Sequence, residues 1–254
     1  MYNDLFSIGP FTVHGYGVMI AIGVLAAYMV MMKRAKRLNI DSSHIDSLTV
    51  WVLVGGAIGA KGLFWLTQME NIMQNPRILL LTITDGFVVY GGIIGGVLAG
   101  YLYCRKKQIG FLKYFDLIIP SVALAQGFGR IGCFMAGCCY GRETDSAFGV
   151  VFPSFSLAPG GVRLIPTQLI SSGLDFLLFA VLIFYAKRKK TDGQVAALYL
   201  ILYSGGRFIL EFFRGDIIRG SVGILSTSQF ISIFLFVIGC GMFITRQYKA
   251  AILR

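Results

Sequence analysis

Charge is scarce in this 254-residue chain, and acidic charge is scarcest. Twelve Asp and Glu stand against 23 Lys and Arg, and ionisable residues of both signs make up 14% of the sequence. Soluble domains carry charge on about a quarter of their residues, so a soluble core wrapped in a polar surface is excluded. Apolar residues reach 56% and the mean hydropathy is +0.73, which makes the bilayer the expected solvent. Proline numbers only 6. No Pro-rich linker, low-complexity segment or internal repeat divides the chain, and one domain over residues 1–254 is the simplest organisation. The opening MYNDLFSIGPFTVHGYG has no basic leader region and no A-x-A-like cleavage site, so its apolar run is expected to stay as a span.

The formal charge of +11 would suit nucleic acid, but the cations come in short blocks, each after a long apolar run. The blocks are Lys33, Arg34, Lys36 and Arg37; Arg105, Lys106 and Lys107; Lys187 to Lys190; and Arg246, Lys249 and Arg254. Assigned to cytoplasmic loops by the positive-inside rule, they leave no basic face for a nucleic acid, which is not an expected partner. Seven apolar stretches approach the roughly 20 residues that cross about 30 Å of hydrocarbon. They run from Val13 to Met32, Leu48 to Leu66, Phe87 to Cys104, Phe115 to Phe134, Leu169 to Tyr185, Val195 to Phe213 and Ile224 to Ile244. Backbone groups in hydrocarbon need internal partners, so these are expected to be helices. The predicted fold is an all-α membrane protein, a polytopic bundle of about seven transmembrane helices with the amino terminus outside and the carboxyl terminus cytoplasmic. Glycines at four-residue spacing, Gly55 and Gly59, Gly91 and Gly95, then Gly92, Gly96 and Gly100, read as close helix packing.

Outside the cytoplasmic segments lie Lys61, Arg77, Arg130, Arg142, Arg163, Arg207, Arg214 and Arg219. Lys61, Arg130 and Arg207 fall inside spans, where each costs about 2.5–3.5 kcal/mol unless compensated. Acidic candidates for that role are few: Glu211, four residues after Arg207, and Asp116 and Asp175 nearer the span ends. Tyr203, Arg207, Glu211 and Arg214 would share one helix face by their spacing. A structural ion pair between Arg207 and Glu211 is one reading, and it leaves Arg130 and Lys61 unpaired. The other is an anion pocket: surplus guanidinium suits a ligand with several oxygens, and the abundant phosphate of a membrane is a phospholipid headgroup. His14 is either a hydrogen-bonded interfacial residue or part of that pocket; His44 is expected to be solvated in a loop.

Five segments in order carry a resemblance: FSIGPFTVHGYG near the start, DGFVVYGGIIGG in the third span, GRIGCFMAGCCYGR after the fourth, PTQL at 166–169 and GGRFILEFFRGD in the sixth. Together they resemble the prolipoprotein diacylglyceryl transferases. The resemblance implies a seven-helix enzyme of the bacterial inner membrane. Such an enzyme takes diacylglycerol from phosphatidylglycerol, attaches it as a thioether to the lipobox cysteine of a prolipoprotein, and releases glycerol phosphate, with no cofactor. It implies that Tyr16 is a required tyrosine, Arg130 the arginine of the signature with Gly132 beside it, Gly141 its last required glycine, and Arg207 with Glu211 the family's arginine and glutamate pair. Lys61 stands where the family often has arginine, and Arg214 falls in the last motif. Phosphatidylglycerol and a prolipoprotein signal peptide, or another lipid acceptor, are the implied partners.

Two departures stand out. Tyr90 occupies the place of the family's histidine, a proposed base for the thiol, and a phenol with pKa near 10 is a poor base at neutral pH. Cys133 and Cys138 replace the signature asparagine and glutamate, with Cys139 alongside. The cysteines read as reduced residues of a helix face, as disulfide partners in an oxidising compartment, as a metal site, or as a nucleophilic thiolate activated by nearby arginine. No histidine completes a tetrahedral set, so no metal is expected.

Overall fold

Each of the seven apolar stretches lies on a helix of at least 18 residues. In the computed structural model, which describes residues 4–8, 11–83, 86–216 and 220–252, the chain opens with an antiparallel hairpin, β1 (Asp4–Ile8) and β2 (Phe11–His14), and runs into α1 (Gly15–Arg37). Next come α2 (Ser42–Thr67), the short α3 (Met69–Gln74) and α4 (Ile78–Leu81), α5 (Val89–Lys106) and α6 (Phe111–Ala136). A two-residue ladder, β3 (Val150–Val151) with β4 (Arg163–Leu164), then closes over a small core of Phe152, Ala158 and Leu164. The chain continues through α7 (Thr167–Ala186), α8 (Gln194–Glu211), the hairpin β5 (Ser221–Val222) and β6 (Leu225–Ser226), and α9 (Thr227–Ile252). Gly9, Pro10, Asp85, Arg219 and Arg254, which belong to the motifs and cationic positions above, lie outside the described residues.

Among the described residues, α1, α2, α6, α7 and α9 are long and apolar enough to cross a membrane. α5 and α8 have 18 residues each, about 27 Å of helix; Arg105 and Lys106 lower the apolarity of one, and Gln194, Arg207 and Glu211 that of the other. Helix ends depart from the apolar runs where local chemistry decides them. Val13 and His14 belong to β2, and the last helix starts at Thr227 because Ile224 sits in the β5–β6 turn. α2 begins early, at Ser42, because Asp41 accepts from the Ser43 amide and hydroxyl, both at 2.9 Å, satisfying donors that a first helical turn leaves open. Those hydrogen bonds hold the Asp41 carboxyl below its ordinary pKa.

The chain forms two compact units, one of residues 34–111 and one of residues 1–33 with 112–254. In the first, α2 and α5 meet backbone to backbone: a Cβ on Gly59 would stand 2.3 Å from the Gly91 carbonyl oxygen, and one on Gly91 2.3 Å from that of Gly59. The glycine spacing does serve packing. In the second, α6, α7 and α8 share a core of Ile119, Ala123, Leu178, Leu182, Val195 and Tyr199. Buried Asp116 closes this core. Its Oδ2 accepts from the Gly193 amide at 2.8 Å and Lys189 Nζ at 2.9 Å, and its Oδ1 from the Ala196 amide at 2.9 Å. The carboxylate thus caps the amino end of α8, where amides and dipole favour an anion. Burial opposes the charge on Lys189, but Asp192 and Asp116 outweigh it and hold the ammonium above its ordinary pKa. Asp116, expected as a counter-charge for the in-span arginines, is spent on this cap.

Candidate active site

Arg130 lies in the last two turns of α6. It makes no hydrogen bond or ion pair with any described residue. Its guanidinium faces a cavity of about 260 Å³ between α6, α7 and α8, shared with Asp175, Tyr203 and Arg207. The remaining wall is mostly aliphatic. Leu174, Leu177 and Leu202 on that wall are 43%, 61% and 42% exposed, so the cavity opens along α7 and α8 onto an apolar surface. A polar floor under an aliphatic mouth suits a ligand with a charged head and hydrocarbon tails.

Arg207 is anchored where Arg130 is not. Its Nη2 lies 2.6 Å from Glu211 Oε2 and donates to Ser228 Oγ at 3.0 Å. The Glu211 contact is an ion pair by distance only: Oε2 accepts no hydrogen bond among the described residues, since it lies off the direction of the N–H bonds. Arg214 Nε stands 4.0 Å from the same oxygen, but α8 stops at Glu211, so Arg214 follows the helix rather than sharing its face. Arg214 forms a two-pronged pair with Asp216 at 2.8 and 2.5 Å. Burial opposes its charge, and the Asp216 hydrogen bonds raise its pKa regardless. Asp216 and Ser228 were not singled out from sequence. The Arg-Gly-Asp run could have pointed to the first, whereas nothing local placed Ser228 opposite Arg207.

The GRIGCFMAGCCYGR stretch ends α6 and turns back. Gly137 has φ 73° and Cys139 φ 61°, left-handed values that an L-residue adopts at some cost. Gly141 bridges to Arg214, and a Cβ there would stand 2.6 Å from the Ile165 carbonyl oxygen, so only glycine lets these segments close. Thr167 Oγ1 and Gln168 Nε2, from the PTQL motif, donate to the carbonyls of Cys139 and Cys138, both at 2.8 Å. The Sγ atoms of Cys133, Cys138 and Cys139 gather within 4.8 Å of one another, and none is in a disulfide. Hydrogen bonds with the Cys133 and Cys139 sulfurs, and burial, push the Cys138 thiol above its ordinary pKa. Tyr16 packs on Gly132: a Cβ there would be 3.2 Å from the tyrosine ring.

Of the sequence-derived site residues, Arg130 and Arg207 share the cavity, Glu211 and Arg214 adjoin Arg207, and Tyr16, Gly132, Cys133, Cys138 and Gly141 cluster around the end of α6. His14 does not line the cavity. It sits on β2, bonded to Asp4 Oδ1 at 2.7 Å with more than half its side chain exposed. Lys61, expected to lack compensation, has it within its own unit: Nζ donates to the carbonyls of Thr82 and Gly86 and lies 4.9–5.5 Å from the ring centres of Phe87, Phe64 and Trp65. Tyr90 is on the first turn of α5, 40% exposed.

Sequence comparison gives this chain relatives. The family model for prolipoprotein diacylglyceryl transferase matches residues 3–245. The phosphatidylglycerol-prolipoprotein diacylglyceryl transferase of Clostridium tetani is 48% identical over 245 residues, 96% of this chain and 98% of its own length. A Clostridium perfringens protein, phosphatidylglycerol-prolipoprotein diacylglyceryl transferase 2, is 44% identical over 237 residues, 93% and 92% of the two chains. The Finegoldia magna enzyme named for the same activity is 34% identical over 250 residues, 98% and 96%.

Proposed function

The chain belongs to the prolipoprotein diacylglyceryl transferase family, and from that premise we propose that it moves the diacylglyceryl group of phosphatidylglycerol onto the lipobox cysteine thiol of a prolipoprotein, releasing glycerol phosphate. One observation carries the reading. Arg130 is a guanidinium with no hydrogen-bond or ion-pair partner among the described residues, on a cavity shared with Asp175, Tyr203 and Arg207 whose wall is otherwise mostly aliphatic and whose mouth meets exposed leucines of α7 and α8. The chain is a multi-pass protein of the bacterial inner membrane, spanning it seven times with the amino terminus outside and this cavity toward the outer side.

Arg130 and Arg207 hold the phosphodiester, and the acyl chains lie along Leu174, Leu177 and Leu202. As the bond from the glycerol carbon to the phosphate oxygen breaks, negative charge grows on the departing glycerol phosphate. Guanidinium groups fixed beforehand stabilise that charge without reorganising. Glu211 and Ser228 hold Arg207 in place, Arg214 with Asp216 closes the site behind it, and Tyr16 and Gly132 shape its edge. The test is incubation of the purified enzyme with headgroup-labelled phosphatidylglycerol and a lipobox peptide. Labelled glycerol phosphate and a thioether-modified peptide are expected; bound lipid without release would overturn the reading in favour of a lipid-binding protein.

A further inference from the structure

The three clustered thiols at the end of α6 have no task in that scheme, and the scheme lacks a base for the acceptor, because Tyr90 replaces the family's histidine. We propose that Cys133, Cys138 and Cys139 hold one zinc ion through three thiolates, leaving its fourth position to the acceptor thiol, which is alkylated while bound there. This rests on the transferase reading above. Zinc–sulfur bonds of about 2.3 Å at tetrahedral angles set sulfurs about 3.8 Å apart, and the three Sγ atoms lie within 4.8 Å of one another, so small side-chain rotations close the site. All-sulfur donors select zinc or another thiophilic ion over magnesium or calcium.

The surroundings suit the charge that results. Three thiolates on a divalent ion carry a net charge of −1. Arg130, one helical turn before Cys133, acts on Cys133 and Cys139 through space, and Arg214 acts on Cys139 both through space and by a side-chain hydrogen bond. Thr167 and Gln168 hold the carbonyls of Cys139 and Cys138, which fixes the backbone from which two of the three ligands project.

The step balances without oxidant or reductant. On binding the ion the acceptor thiol gives its proton to water, because a coordinated thiol is deprotonated outright. A sulfur lone pair then forms the C–S bond as the glycerol carbon's bond to the phosphate oxygen breaks. That electron pair leaves with glycerol phosphate, held by Arg130 and Arg207. The neutral thioether, a weaker ligand than a thiolate, dissociates.

The test uses the full-length enzyme, reduced and stripped with a chelator, titrated with cadmium as a spectroscopic stand-in. One cadmium per chain and a sulfur-to-metal charge-transfer band are expected, rising by about one third, with proton release, when a lipobox peptide adds a fourth thiolate. Cys133→Ser and Cys138→Ser should each weaken binding at least about tenfold. Chelation of the wild-type enzyme should stop peptide lipidation and zinc should restore it. Absence of the band, a band indifferent to both serine variants, or cysteines that resist thiol labelling until reduced would overturn the site. A chelated enzyme that lipidates at full rate would end the metal's role and leave the transferase reading standing. A normal cadmium titration with no glycerol phosphate release under any condition would do the reverse.

Discussion

Asp116 and Arg130 sit on the same helix, about 21 Å apart along α6, and they show two ways of keeping a charge out of water. Asp116 is 1% exposed and fully served by protein: two amides from the start of α8 and one ammonium. Arg130 has a cavity where Asp116 has donors. A buried charge with every partner in place is architecture; one with no hydrogen-bond or ion-pair partner among the described residues, on the floor of a cavity, is a site, because its desolvation is offset only when a ligand arrives.

Removing each charge should break this comparison in opposite directions. Arg130→Ala deletes no hydrogen bond or ion pair among the described residues, so the fold should hold while glycerol phosphate release falls by about 10²–10³-fold, the scale for losing one preorganised donor. Equal loss of folded protein and of activity would mean that Arg130 is structural. Asp116→Ala should do the converse. It strips the cap of α8 and its lysine partner, with a destabilisation on the order of 3 kcal/mol seen as a lowered thermal midpoint in detergent, and molecules that stay folded should keep their turnover.

Arg207 falls between the two, being both anchored and turned to the cavity. Arg207→Lys keeps a cation for Glu211 but loses the planar fork that grips phosphate with two parallel bonds. A reduction of about 10-fold in kcat with little change in thermal midpoint is expected. A stability loss without a kinetic one would return the Arg207 and Glu211 pair to the structural reading.

The helices were legible because bilayer thickness imposes a length that the seven apolar runs meet, and Arg207 with Glu211 because i, i+4 spacing survives any packing. The work of Asp116 was not legible: the helix it caps begins 78 residues later, from Gln194, and only tertiary folding joins them. The gathering of the sulfurs was hidden for a different reason. Cys133 and Cys138 are separated by the end of a helix, and the left-handed turn at Cys139 is a conformation that residue type does not announce, cysteine being no favoured occupant of it. The Gly141 contact with Ile165 likewise depends on two loops meeting.

Lys61 supplies the finest test, since its sequence setting inside a span resembles that of Arg130 and its structural setting does not. The ammonium is enclosed by two carbonyls and three aromatic rings, which is how Asp116 is treated, with the signs reversed. Lys61→Met should therefore behave as a weak structural change. The carbonyls of Thr82 and Gly86 lose a donor and the rings a cation, for about 1–2 kcal/mol, partly offset because a charge no longer has to be held in the span. The KM for phosphatidylglycerol should stay where it was. A KM raised tenfold with the thermal midpoint unmoved would place Lys61 with Arg130 among the groups that meet the lipid, and the division between satisfied and unsatisfied cations would no longer separate scaffold from site.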